Sequence, residues 1–315
     1  MLPTTFRRMA ALLLGALLHA SAAAQAAADP APLEVSEVAP GVYVHAGLLE
    51  DWLPGNGGDI ANLGFIVGSR CVAVIDTGGT PQLGLRWRAA IERTARLPIC
   101  YVIDTHAHPD HVLGNAAFVG PDTRFVASAK FNAAMSAREP YFLRALSRDF
   151  GIEVAHEAMV YPTLAVDGTR ELDLGDRVIV LQTWPTAHTD NDLTVYDRKS
   201  RTLFTSDLLF VQHIPVVDGS LRGWLAAMQQ IAKVDAALIV PGHGATRAGG
   251  PAAWQPQQAY LEALLRETRA AIKAHKTLPQ AVDSVGVQAA SPWQLVERFH
   301  RRNVTAAFAE LEWED

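Results

Sequence analysis

The stretch Ile103-Asp104-Thr105-His106-Ala107-His108-Pro109-Asp110-His111-Val112-Leu113-Gly114-Asn115 decides how the rest of the chain is read. It packs His106, His108, Asp110 and His111 into six positions. Residues 99–103, Ile-Cys-Tyr-Val-Ile, lead into it as a β-branched, apolar run, the pattern of a buried strand, so the polar cluster leaves a strand end. Extended residues two apart point to one side, so His106 and His108 face one metal ion together, and Asp110 and His111, beyond Pro109, aim at a second. A lone histidine there would read as a capping or surface group. Three imidazoles and a carboxylate packed together without a cation would be costly to bury.

Upstream, residues 62–67 and 71–75 form a hairpin that turns at Gly68-Ser69-Arg70 and ends in Asp76. Asp76 either orients a ligand imidazole or caps the next helix. Leu83, Trp87 and Ile91 recur every fourth residue, an apolar helical face; strand, helix, strand then makes 71–75 and 99–103 parallel. Cys71 and Cys100, the only cysteines, open those two strands. At a neighbour-strand spacing of about 4.8 Å a disulfide is within reach, two buried thiols being the alternative. Residues 35–38 and 41–45 are strand-like, and Trp52, in a Gly- and Pro-rich loop, is read as a core filler with a substrate-facing lid as the alternative. Downstream come a short helix from Gly114, a strand at 125–127, and helices over 131–161 that cover the site from above.

The second half repeats this logic. Residues 177–182 lead to His188; 193–196 and 202–205 turn at Arg198-Lys199-Ser200, the second strand ending in Asp207; and 237–240 deliver His243. Recurrence of hairpin, strand and polar strand end predicts two similar halves, each a sheet faced by helices. Residues 224–231 and 261–272 carry amphipathic helices read as core. The tail has a basic patch, Phe299-His300-Arg301-Arg302-Asn303-Val304-Thr305, read as a solvated face before a helix that ends in Glu312-Trp313-Glu314-Asp315.

Residues 1–28 read as a signal peptide: Arg7 and Arg8, an apolar run too short to span a bilayer, then small residues suited to cleavage. Residues 29–315 are expected to form one domain with a C-terminal helical extension, periplasmic or secreted, with no stable membrane insertion after signal removal. The net charge of −6 and the lack of any Lys/Arg block exclude an extended nucleic-acid surface. Ser128 and Ser206 lack a nucleophile elbow, and no glycine loop suits phosphate.

The ordered set His106-x-His108-x-Asp110-His111, His188, Asp207 and His243 resembles the metallo-β-lactamase fold superfamily. That resemblance implies an α/β fold, a four-layer αββα sandwich, with two Zn²⁺ at its edge: His106, His108 and His188 on one, Asp110, His111 and His243 on the other, and Asp207 bridging. Iron or manganese suits the same donors. Residues 62–79, the stretch from His213 to Trp224 and the tail from Arg301 to Glu314 are similar to the quinoprotein relay system zinc metallohydrolases, exported proteins associated with quinone-dependent (PQQ) alcohol oxidation. The implied chemistry is hydrolysis of a small-molecule ester, thioester or lactone by a hydroxide shared between ions about 3.5–4 Å apart, with Asp110 as the catalytic residue that orients it. A β-lactamase, an iron-dependent redox enzyme and a metal-bound accessory of a quinoprotein dehydrogenase are the competing readings. Asp207 stands where the best-known zinc β-lactamases carry cysteine, which predicts weak lactam turnover; no lysine between Asp207 and Lys233 is offered to a lactam carboxylate, Arg222 being the alternative.

Overall fold

The computed structural model describes residues 31–314, so the expected signal segment lies outside the described residues. Strands β1 (Ser36–Ala39), β2 (Val42–His45), β3 (Leu63–Val67), β4 (Val72–Ile75), β5 (Ile99–Ile103), β6 (Arg124–Ser128) and β7 (Leu164–Val166) form one sheet in that order, antiparallel as far as β4 and parallel beyond it. The second sheet runs β8 (Thr169–Asp173), β9 (Val178–Thr183), β10 (Leu193–Asp197), β11 (Thr202–Phe210) and β12 (Leu238–His243), with only the β11–β12 pair parallel. The helices are α1 (Pro81–Thr94), α2 (Pro109–Val112), α3 (Phe131–Ala145), α4 (Leu221–Ile231), α5 (Gln255–Lys273), α6 (Leu278–Val282), α7 (Val287–Ala290) and α8 (Val296–Leu311).

Both faces of β4 are covered, which is why its sequence is apolar without alternation. Val72 and Val74 pack under Leu83, Trp87 and Ile91 of α1. Ala73 and Ile75 point the other way, into a core shared with Leu181, Val195 and Phe204 of the second sheet. The sheets approach so closely at Gly64 that a Cβ there would lie 2.3 Å from the Phe204 ring. Leu203 and Leu209 of β11 face outward against Trp224 and Met228 of α4 and Leu261 and Leu264 of α5, and α8 adds Val304 and Leu311. The result is helix, sheet, sheet, helix, as expected. Cys71 and Cys100 are joined in a disulfide between the starts of β4 and β5, with Cα atoms 5.7 Å apart.

Two expectations about element boundaries are corrected, and two strands were missed. β11 does not end in Asp207 but runs on to Phe210; Ser206 takes a positive φ of 45° and the register with β12 slips there, so Asp207 sits at a bulge inside a longer strand. The basic patch lies within α8 rather than before a helix. Edge strands β7 and β8 were not anticipated: one has three residues, and the other, Thr-Arg-Glu-Leu-Asp, buries only Leu172. No helix of the described residues is long and apolar enough to cross a membrane.

Candidate metal centre

The turn from β5 into α2 carries His106, His108, Asp110 and His111, and the ends or bulges of second-sheet strands bring His188, Asp207 and His243 to meet them. The seven side chains form two groups whose donor atoms lie within 4.8 Å of one another: His106, His108, His188 and Asp207; and Asp110, His111 and His243. Asp207 reaches both. Its Oδ2 is 3.4 Å from His188 Nε2 and 3.3 Å from His243 Nε2, and its Oδ1 is 3.3 Å from His111 Nε2. Asp110 Oδ2 lies 3.3 Å from both His111 Nε2 and His243 Nε2.

The outward nitrogen of each imidazole is committed to a neighbour, which decides the tautomer. His188 Nδ1 donates to the Val216 carbonyl at 2.8 Å and His243 Nδ1 to the Ile60 carbonyl at 2.9 Å. His111 Nδ1 donates to Asp76 Oδ2 at 2.8 Å, and His108 Nε2 to Asp218 Oδ2 at 2.9 Å. Thr105 Oγ1 gives its own hydrogen to Asp76 and so accepts from His106 Nδ1 at 3.1 Å. Asp76 is therefore an orienting partner and not a helix cap; Thr80 caps α1 instead. The stretch after His188 supports the loop as well, since Asn191 Oδ1 accepts from the Ala107 amide at 2.9 Å.

With those protons placed outward, bare lone pairs are left facing one another. His108 Nδ1 lies 3.0 Å from His106 Nε2 and 3.1 Å from His188 Nε2. His111 Nε2 and Asp207 Oδ1, buried 3.3 Å apart, have no other partner, so in the metal-free protein a second proton on His111 has to offset the carboxylates. Such an arrangement is unfavourable for a protein alone and suits a cation pair. Burial holds His106 well below the usual histidine range and His188 down at about 4, so both are neutral near pH 7. Burial would also lower His111 and His243, but Asp110 and Asp207 outweigh it: His111 is raised well above its ordinary value and His243 to about 9. In turn, burial of Asp110 and Asp207 is overcome by these imidazoles, which hold both carboxyls well below the usual range.

The cluster opens into a cavity of about 340 Å³ whose other walls include Trp52, Arg138, Tyr141, Phe142, Phe210, His213, Asp218, Phe299 and Arg302. Trp52 lines the site while also packing on the core around Ala107, Leu113 and Phe142, so both readings hold; it is held by a hydrogen bond from Nε1 to the Gly79 carbonyl at 3.0 Å and by Phe150. α3 covers the site as expected. Arg222 does not reach the cavity: it pairs with Glu310 at 3.2 Å and Glu314 at 2.7 Å.

The family model of the Metallo-beta-lactamase superfamily matches residues 56–243, from the Trp52 loop through the last histidine of the cluster. The chain belongs to the metallo-beta-lactamase superfamily. Solved structures agree on the fold. A metallo-beta-lactamase from Pontibacter korlensis superposes with a TM-score of 0.60 at 17% identity, over 73% of this chain and 99% of that one. A metallo-beta-lactamase from Hirschia baltica gives 0.57 at 18% identity, over 73% and 97%. The stereoselective inverting sec-alkylsulfatase Pisa1 from Pseudomonas sp. gives 0.67 at 17% identity over 90% of this chain, which spans 51% of that protein's length. No curated protein matches the sequence. Superfamily membership and the two donor groups together indicate a metal-dependent hydrolase.

Every position singled out for metal lies in one of the two groups, Asp110 included. Asp218, Arg138, Phe299 and Arg302 were missed as site residues. Asp218 stands in the quoted stretch from His213, and the others sit on helix faces whose periodicity reports packing but not chemistry.

Proposed function

We propose that this superfamily member is an exported hydrolase with two zinc ions that cleaves a small ester, thioester or lactone, working beside quinoprotein alcohol oxidation. The observation that carries the reading is the convergence of imidazole nitrogens and two carboxylates at the base of a cavity with aromatic walls. His106, His108 and His188 would hold one ion, Asp110, His111 and His243 the other, and Asp207 both. When bound, the ions supply Lewis acidity toward the carbonyl oxygen and make water acidic enough to attack near neutral pH. Asp110 keeps Oδ2 toward His111 and His243, which leaves Oδ1 to accept a proton from the attacking water. The acyl C–O or C–S bond breaks, a C–O bond from water forms, and the proton passes by way of Asp110 to the leaving atom. Trp52, Phe142 and Phe299 enclose the body of the substrate and exclude bulk water.

Export is supported by the Cys71–Cys100 bridge, which suits an oxidising compartment. The quinoprotein connection rests on the resemblance of the stretches at 62–79, 213–224 and 301–314; two of these pack together, Asn303 donating to the Pro215 carbonyl at 2.6 Å and accepting from the Val217 amide at 2.9 Å, while Glu310 accepts from Ser220 Oγ at 2.8 Å. Metal analysis of the protein from its native compartment, followed by an ester, thioester and lactone panel, tests the proposal. Two zinc ions and turnover, both lost in His108→Ala, are expected. An iron-loaded, coloured protein would redirect the reading to redox chemistry, and a metal-free protein inert to the panel would end it.

A further inference from the structure

Four arginines stand around the cleft, and three are already committed. Arg138 is paired with Asp218 at 2.7 Å, Arg298 with Asp51 and Arg148 with Asp149. Arg302 has no carboxylate or hydrogen-bond partner among the described residues; its guanidinium lies over the Phe299 ring, 5.7 Å from the centroid. It lines the inner cavity, and it also lines an outer chamber of about 790 Å³ whose walls share Asp51, Trp52 and Tyr141 with the inner one. The two are successive compartments of one cleft, with Arg302 at their junction. Charged side chains of the outer chamber are Asp51, Asp149, Arg148, Arg298 and Arg302, a local positive excess on a chain whose net charge is −6. α8, which carries Arg302, lies beyond the stretch matched by the family model.

We propose that Arg302 selects the substrate, and that the substrate is an ester or thioester bearing a carboxylate, or a comparable planar anion, at the end remote from the bond to be cleaved. This rests on the hydrolase reading above. A guanidinium poised over an aromatic ring with no carboxylate partner keeps its donor fork free to take a carboxylate through two parallel bonds. An anion seated there places the rest of a short chain along Trp52 and Tyr141, with its reacting carbonyl toward the histidine cluster.

The test uses the full zinc-loaded protein and has two arms. In the first, benzoate and neutral benzamide are titrated calorimetrically into the native protein, Arg302→Gln and Arg301→Gln; Arg301 pairs with Asp283 and lines neither compartment, so it serves as the control. Benzoate affinity should fall about tenfold or more in Arg302→Gln and match the native protein in Arg301→Gln. In the second, mono-4-nitrophenyl glutarate is compared with 4-nitrophenyl valerate, and the anionic-to-neutral ratio of kcat/KM should fall about tenfold in Arg302→Gln, mainly through KM. Equal benzoate affinity in native and Arg302→Gln proteins overturns the proposal. If the native protein turns over neither ester, the ester reading fails, and the benzoate arm still decides the role of Arg302.

Discussion

At His108 a single hydrogen bond determines which nitrogen faces the cluster. Nε2 is held by Asp218, whose carboxyl is kept well below the usual range by that bond and by Arg138, so Nδ1 turns inward. Replacing Asp218 by Ala should weaken zinc binding by about 10–100-fold, read by competition with a chromophoric chelator; unchanged affinity would mean the ring is held by other contacts. A second prediction concerns His111 and His243, which Asp110 and Asp207 keep protonated in the metal-free protein at pH 7. A raised histidine binds its proton below its pKa, so zinc competes with protons there and the competition fades as pH rises through about 9 for His243. Calorimetry in buffers of different ionisation heat should show both protons released on loading at pH 7; no net release would refute the assignment. The metal donors were legible because each follows or interrupts an apolar run, where a polar residue stands out. Arg302 was not, because on α8 the spacing of Phe299, Val304, Ala307 and Leu311 records which side faces the core and nothing of what lies beyond it.

Between elements, the β11–β12 crossing sets the position of Asp207. A Cβ on Gly242 would fall 1.9 Å from Asp207 Oδ1 and 2.7 Å from its amide nitrogen, so the carboxylate occupies space that only glycine leaves free. Gly242→Ala should therefore reproduce the effect of Asp207→Ala, loss of one ion or weakening of both, measured as metal per chain after dialysis; full retention of two tight ions in both variants would remove Asp207 from its bridging role. On the first sheet, the Cys71–Cys100 bridge spans a separation of 29 residues. Closing a loop of that size stabilises by about 3–4 kcal/mol in the chain-entropy account, so a Cys71→Ser/Cys100→Ser protein should melt several degrees lower, and an unchanged Tm would contradict it. The hairpins, the parallel β4–β5 pair and the helix between them were legible from buried apolar runs and a four-residue period. β8 was not, because an edge strand with one buried residue has no run to detect, and the end of β11 was misplaced because a polar residue within an apolar strand looks like its terminus.

For the molecule as a whole, the first sheet supplies His106, His108, Asp110 and His111, and the second supplies His188, Asp207 and His243. Because Arg302 places an uncommitted cation in the cavity, a lactam carboxylate would find a partner there, and the case against lactam turnover rests on Asp207 alone. A carboxylate that reaches both donor groups leaves the second ion less free to stabilise a departing lactam nitrogen. We expect esters or thioesters to exceed a chromogenic cephalosporin by about a hundredfold in kcat/KM, roughly 2.7 kcal/mol, in parallel assays of the zinc-loaded protein. Efficient cephalosporin turnover that disappears in His108→Ala would reverse that ranking. The division of donors between sheets has a further consequence. Under the two-zinc reading, ions gripped from both sides would bind only when the halves are closed, acting as removable rivets along the seam, and mass action would make the heat resistance of the molecule follow the surrounding zinc: about 2.7 kcal/mol for one site at a hundred times its Kd. A melting curve taken at graded zinc concentrations would then serve as an occupancy gauge, readable before any substrate is known.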